Sequence, residues 1–435
     1  MSNAVEANKP DSRRGLRGVL GFRYFLILMA PLVGAFPGLS SIELYIFGYL
    51  IPSQILVVVA GAVVLGVAYF ATFGKGARSM RRIAFPMLVL FCIMGFWGLA
   101  CAWASGGAVW RVLVQVLWMT APILFATFLI GMAKKRNVCF SSLSEIIVVG
   151  AALFSCMLIA YNVGVYGFNV LTDRLYCPGL GPVVLGYTNA LAIALAVSRK
   201  GDNAIIAKPL MCLAVIVLLV ATFLTGSRGG IYPALALAVV YFLPSKNAAA
   251  MVLLVLGALI VLLVFDPVDA FLSGRAGSLQ SGRYDTWEAA LASFCDGTHL
   301  DRLLGYGLGN VFPYQDWYTD YYTGHIERGY TDGDWNSFSF RGNTMLVEPH
   351  NTYIWLLLEG GLFSLVGFIF CLVAPIAVSP FSVRYSKLRF GVVLATFMIL
   401  GIFDAVVFVN AASAFWWSVL FVAFEASIES EGDLV

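Results

Sequence analysis

The chain has 435 residues, of which 60% are hydrophobic and only 12% charged, against ~45–50% and ~25% in soluble globular domains. That composition excludes a soluble globular fold and marks a polytopic membrane protein. A net charge of +3, spread over separate short clusters, also excludes a nucleic-acid-binding surface.

Residues 1–21 form a polar, basic tail (Arg13, Arg14, Arg17) that leads into an apolar segment without a small-residue cleavage pattern, so the first helix is expected to be retained. A spanning helix needs ~20 mostly apolar residues. By that measure the chain offers about twelve spans: 22–39, 54–73, 84–104, 111–131, 144–163, 181–198, 209–226, 231–244, 248–265, 361–378, 390–409 and 411–427. The expected organisation is an all-α polytopic protein. It has a cytoplasmic tail (1–21), nine spans (22–265), a long external loop (266–360), three spans (361–427) and a second cytoplasmic tail (428–435).

Lys and Arg crowd alternate connections: Arg13 to Arg23, Lys75 to Arg82, Lys134 to Arg136, Arg199 to Lys208, Lys246 and Arg384 to Arg389. Placing these inside puts both termini and every lysine in the cytoplasm, as the positive-inside rule requires. The outer connections then carry arginines but no lysines. Arginine presents a planar fork that suits phosphate or carboxylate, so an anionic ligand at the outer surface is expected.

The interval from Asp266 to Glu359 is rich in Asp, Arg, Tyr, Trp and Gly, holds all three histidines, and should lie in water because lipid cannot satisfy irregular backbone. Within it, Trp287, Leu291 and Phe294 have helical spacing after Gly282. Leu303 to Asn310 reads as a glycine-rich turn and Tyr314 to Phe340 is dense in Tyr, Trp and Asp, so the long loop as a whole, 266–360, reads as a small folded cap of short helices. Trp317, Tyr318, Tyr321, Tyr322, Tyr330 and Trp335 suit sugar rings or, equally, the bilayer surface.

Six residues carry candidate chemistry. His350, in Pro349-His350-Asn351, is expected at a helix start, where a side chain titrating near ~6.5 can take up a proton. Arg228 lies in Ser227-Arg228-Gly229-Gly230, read as a tight Gly-Gly turn whose amides and following helix N-terminus favour an anion; snorkelling to lipid headgroups is the alternative. Arg174 and Arg283 could serve the same anion or simply pair with Asp173 and Asp285. Glu359 and Asp404, as acids in or near spans, are functional candidates.

No GxxxxGK[ST], HExxH or GxSxG pattern occurs, which leaves ATPase, zincin and serine-hydrolase readings without support. No metal and no cofactor is expected. Among the eight cysteines, Cys92, Cys156, Cys212 and Cys371 read as small buried hydrophobes, whereas Cys177 and Cys295 share the outer side and could pair.

The set Ser227-Arg228-Gly229-Gly230, Gly282-Arg283 with Trp287, Leu304 to Asn310, and Pro349-His350-Asn351 with trailing Glu359-Gly360-Gly361 resembles the superfamily of bacterial O-antigen ligases and polymerases. The resemblance covers residues 170 to 380. It implies a fold related to the lipid-dependent GT-C glycosyltransferases and metal-independent transfer at the periplasmic face of the inner membrane. The implied donor is a glycan on undecaprenyl diphosphate, and the implied acceptor is lipid A-core or another glycan. It further implies that His350 acts as the catalytic base and that Arg228, Arg283 and Arg174 hold the diphosphate, with Asn351, Glu359, Ser227 and Gly229 in support. A ligase is the first expectation and a polymerase the alternative. A transporter or flippase is the competing class, although its ionisable groups would gather at the midplane rather than outside.

Overall fold

The computed structural model describes residues 43–46, 49–52, 78–105, 109–169, 173–175, 181–199, 206–242, 283–312, 337–340, 343–346, 349–378, 384–403 and 412–432. Helices carry the fold: α1 (Arg78–Ala104), α2 (Val109–Lys135), α3 (Phe140–Tyr166), α4 (Gly181–Ser198), α5 (Lys208–Thr225) and α6 (Arg228–Phe242) precede α7 (Arg283–Asp296) and α8 (His299–Leu304). They are followed by α9 (Thr352–Val378), α10 (Arg384–Phe403) and α11 (Ala412–Gly432). Six described helices are long and apolar enough to cross a membrane, and the protein is a multi-pass helical membrane protein. The expected spans at 22–39, 54–73 and 248–265 lie outside the described residues.

Two antiparallel hairpins accompany the helices, β1 (Glu43–Ile46) with β2 (Tyr49–Pro52), and β3 (Ser337–Phe340) with β4 (Asn343–Leu346), in the register Ser337↔Leu346 to Phe340↔Asn343. The interval expected to form only short cap helices therefore includes a hairpin. The aromatic residues 317–335 and His325 lie outside the described residues.

Local chemistry fixes the helix ends. Gly167 and Gly226, at φ 62°, end α3 and α5 in the left-handed conformation that glycine adopts without Cβ strain. Helix α9 begins nine residues before the span read from hydropathy and breaks at Gly361 (φ 66°, ψ −172°), a backbone state open essentially to glycine alone. The break admits another segment: a Cβ on Gly361 would stand 2.3 Å from the Leu303 carbonyl oxygen.

The bundle has two chemically distinct ends. At one, Lys134 Nζ pairs with Glu425 at 2.8 Å. There the Glu429 carboxylate also accepts from the amides of Phe140 (2.9 Å) and Ser141 (3.2 Å), capping α3, whose preceding Cys139 provides no side-chain cap. Glu145 accepts from Ile206 N at 2.9 Å, Arg199 donates to Ser141 Oγ, and Phe390 meets Phe424 at 5.2 Å between ring centroids. The end of α2, the start of α3, the end of α4, the start of α5, the early part of α10 and the end of α11 thus share a side. The opposite end gathers Arg174, the α5–α6 turn, the glycine-rich turn and the start of α9.

Between the ends the core is aromatic and tightly packed, with Trp355, Trp416, Trp417, Tyr187, Phe397 and Phe421 fully buried. Polar pairs join helices at this depth: Trp416 Nε1 donates to Thr188 Oγ1 (3.0 Å) and Ser155 Oγ to Asn189 Oδ1 (3.1 Å), as expected where small and polar residues hold membrane helices together. Large apolar side chains are exposed on the outer faces, among them Phe85, Phe96 and Trp103 of α1 and Val366 and Phe370 of α9. Cys92 and Cys156 belong to these outer faces rather than to the core. The expectation that they are buried is thus corrected, because a thiol suits lipid as well as protein interior. Cys295 is an exposed free thiol, and Cys177 lies outside the described residues.

Candidate active site at one end of the bundle

The segment 173–175 docks on the end of α5. Leu175 N donates to Leu224 O at 2.7 Å, and Arg174 Nε donates to Thr225 O at 2.8 Å. A Cβ on Gly226 would come within 3.1 Å of Arg174 Nε, so the glycine that ends α5 also gives the guanidinium its place. Asp173 is turned to its own loop, accepting from Asn169 N at 2.7 Å. With Asn162, Tyr166, Phe168 and Asp173, Arg174 lines an open pocket beside the C-terminus of α3.

Arg228 is the first residue of α6, immediately after Ser227, whose carbonyl accepts from Gly230 N (3.0 Å) and Ile231 N (2.8 Å). The expected Gly-Gly turn is therefore the first turn of a helix, and the actual turn is Thr225-Gly226-Ser227. The glycines serve close packing instead: a Cβ on Gly230 would lie 2.7 Å from the Gly186 backbone, and one on Gly229 would lie 2.7 Å from Phe403 Cβ and 2.8 Å from Tyr187 Oη. Electrostatically the place is distinctive. No acidic residue occupies the first turn of α6, so a cation stands where the helix dipole favours an anion, a mismatch of ~0.3–1 kcal/mol.

His350 has φ 47° and is, with Asn137, one of two described non-glycine residues in the left-handed region. Such strain persists only where flanking contacts over-determine it, and both flanks are fixed. On one side, Trp287 Nε1 donates to the Pro349 carbonyl. On the other, Asn351 Oδ1 accepts from Tyr353 N (2.9 Å) and Ile354 N (3.1 Å), the N-cap geometry for α9. The helix start is set by Asn351, not by the proline. His350 itself is half-buried.

Glu359 is completely buried, and its carboxylate accepts from Gly309 N (3.0 Å) and Phe312 N (3.2 Å), while its own carbonyl accepts from Gly307 N (3.0 Å). The glycine-rich turn and the Glu359-Gly360-Gly361 motif are therefore one structural unit, in which Glu359 organises backbone. Trp97 Nε1 completes it by donating to Gly305 O at 2.9 Å.

A continuous path of contacts joins these parts. It runs from Arg174 to the Thr225–Gly226 turn, through Ser227, Arg228 and Gly229 to Phe403, and along α10 to Gly401, which abuts Thr352. From there it passes Asn351 and His350 to Pro349 and Trp287 of α7. Arg283 opens that helix, and its side chain lies outside the described residues, as do Asp404 and Arg341. Among the described residues, no group of three or more His, Cys, Asp or Glu side chains comes together. Trp97, Tyr187 and Phe403 were not singled out from the sequence. For Trp97 the available signal was its indole N–H within an apolar span, which must find an acceptor. Comparison of the chain with models of known protein families and with characterised proteins gives no match.

Proposed function

We propose that this protein is a membrane glycosyltransferase that moves a glycan from undecaprenyl diphosphate to an acceptor hydroxyl at the periplasmic face of a bacterial inner membrane. The observation that carries the reading is the shared end of the bundle. There an arginine starts a helix free of first-turn acids, a second arginine is anchored one turn away, and a histidine is held in a left-handed backbone between two fixed residues. Arg228 and Arg174, with Arg283 at the head of α7, bind the diphosphate. Charge grows on that group as the sugar bond breaks, so the arginines stabilise the transition state more than the bound donor. His350 takes the proton from the acceptor hydroxyl, whose oxygen attacks the anomeric carbon while the bond to the diphosphate breaks and its electron pair leaves on the phosphate oxygen. A single displacement of this kind inverts the anomeric carbon.

The finer reading is a GT-C-related protein of about twelve spans with both termini cytoplasmic, acting as an O-antigen ligase on lipid A-core. A polymerase of the same superfamily, transferring to a second lipid-linked glycan, needs the same donor site and is the alternative. Reconstitution of the purified protein with undecaprenyl-diphosphate glycan and either acceptor is the test. A new glycosidic bond to lipid A-core supports the ligase, and one to a second glycan the polymerase. Movement of donor across the bilayer with no new bond would overturn the enzyme in favour of a flippase.

A further inference from the structure

The segment from α8 to Phe312 was expected in water, yet its bonds set it beside the spans. Trp97, which binds Gly305 O, lies within the apolar stretch Ala84–Ala104, and it stands six residues, ~9 Å along a helix, before the exposed Trp103. Trp103 and Tyr166 are exposed aromatics in the last turns of α1 and α3 at this end, the position where such residues mark a membrane boundary. On the other flank, the Leu303 carbonyl packs on Gly361, nine residues or ~14 Å into the span that starts at Thr352. The α1 flank thus places the end of α8 deeper than the aromatic at Trp103, and the α9 flank places it well inside that helix.

Irregular backbone at such depth must be satisfied within the protein, and here it is. Gly305 N donates to Asp301 O (2.8 Å), Tyr306 N to Leu358 O (2.9 Å), Gly307 N to Glu359 O (3.0 Å) and Asn310 N to Gly307 O (3.1 Å). The Glu359 carboxylate takes the amides of Gly309 and Phe312. The start of α8 is closed by a capping box between Thr298 and Asp301. Leu300 and Leu303, one turn apart, are 51% and 53% exposed. Leu303 meets α9 at Gly361, beside the exposed Leu362 and Phe363, while Gly305 is bonded to Trp97 of α1, whose neighbour Phe96 is also exposed.

We infer that α8 and the glycine-rich turn form a re-entrant segment that dips into the bilayer between α1 and α9, with Leu300 and Leu303 against lipid acyl chains. The occupant of this face is lipid because the face continues the exposed apolar stripes of α1 and α9, with Leu303 meeting α9 at Gly361 directly beside the exposed Leu362. The inference stands whether or not the protein transfers glycans.

The test uses the wild-type full chain in phospholipid vesicles, labelled in parallel with a carbene reagent confined to the bilayer and with a water-soluble one, followed by peptide mapping. Leu300 and Leu303 should be modified by the bilayer reagent to the same extent as Phe96 and Val366, and poorly by the aqueous reagent, which should modify Asp296. Preferential aqueous labelling of the two leucines overturns the inference. Protection from both reagents does so too, since another part of the protein or a second copy would then cover the face.

Discussion

Trp287 Nε1 donates to the carbonyl of Pro349, so the helix that begins at Arg283 is bonded directly to the residue before His350. Two segments far apart in sequence thereby become one support for a left-handed histidine. Trp287→Phe keeps the ring and removes the donor, a loss of ~0.5–1.5 kcal/mol. We expect transfer to fall about 2–10-fold with little change in thermal unfolding, measured as kcat on purified protein. A variant with wild-type kcat would show that the bond does not position the site.

Asn351 caps α9 with its side-chain oxygen. Asn351→Ala should lower stability by about 1 kcal/mol, and Asn351→Asp should retain most of it. Thermal unfolding in detergent measures both, and equal melting temperatures for Ala and wild type would contradict the capping role.

Glu359 accepts hydrogen bonds from the backbone of the glycine-rich turn. Glu359→Ala orphans the buried amides of Gly309 and Phe312 at ~1–3 kcal/mol each, whereas Glu359→Gln retains one acceptor and should lose less. The expected signature is graded loss of melting temperature and faster proteolysis within 305–312, with the pH profile of any remaining transfer unchanged. A shifted pH profile at full stability would instead place Glu359 in the chemistry.

Glycines differ sharply in the space around them. Gly361→Ala would force a Cβ to 2.3 Å from Leu303 O at a positive φ and should cost upward of ~1–3 kcal/mol. Gly164→Ala, in open space within α3, should be neutral or stabilising by up to ~1 kcal/mol. Folded yield and unfolding temperature separate the two, and a tolerated Gly361→Ala would sink the account of the helix break.

Much of this arrangement was legible in the sequence because period and composition are local. Among the described residues, apolar stretches such as 84–104 and 144–163 became helices, and Trp287, Leu291 and Phe294 did lie on one short helix. Glycine was read less well, since a Gly pair signals either a turn or close packing. Gly229 and Gly230 proved to be packing glycines against Tyr187, Phe403 and Gly186. Depth was also hidden: polar composition argued for water around the glycine-rich turn, whereas Glu359 and Trp97 satisfy that backbone within the bundle. Such pairings join residues about 50 and 208 positions apart, a distance no periodicity reports.

The most direct test compares His350→Ala and Arg228→Ala for transfer and for retention of undecaprenyl-diphosphate glycan. His350→Ala should transfer 10²–10⁴-fold more slowly, roughly the span of general acid–base catalysis, while holding donor as well as wild type. Arg228→Ala should lose donor binding and transfer together, and Arg228→Lys should recover only part, since it restores charge without the two-pronged geometry. Transfer at the wild-type rate by His350→Ala, or normal donor binding and turnover by Arg228→Ala, would contradict the placement of base and diphosphate site at this end of the bundle.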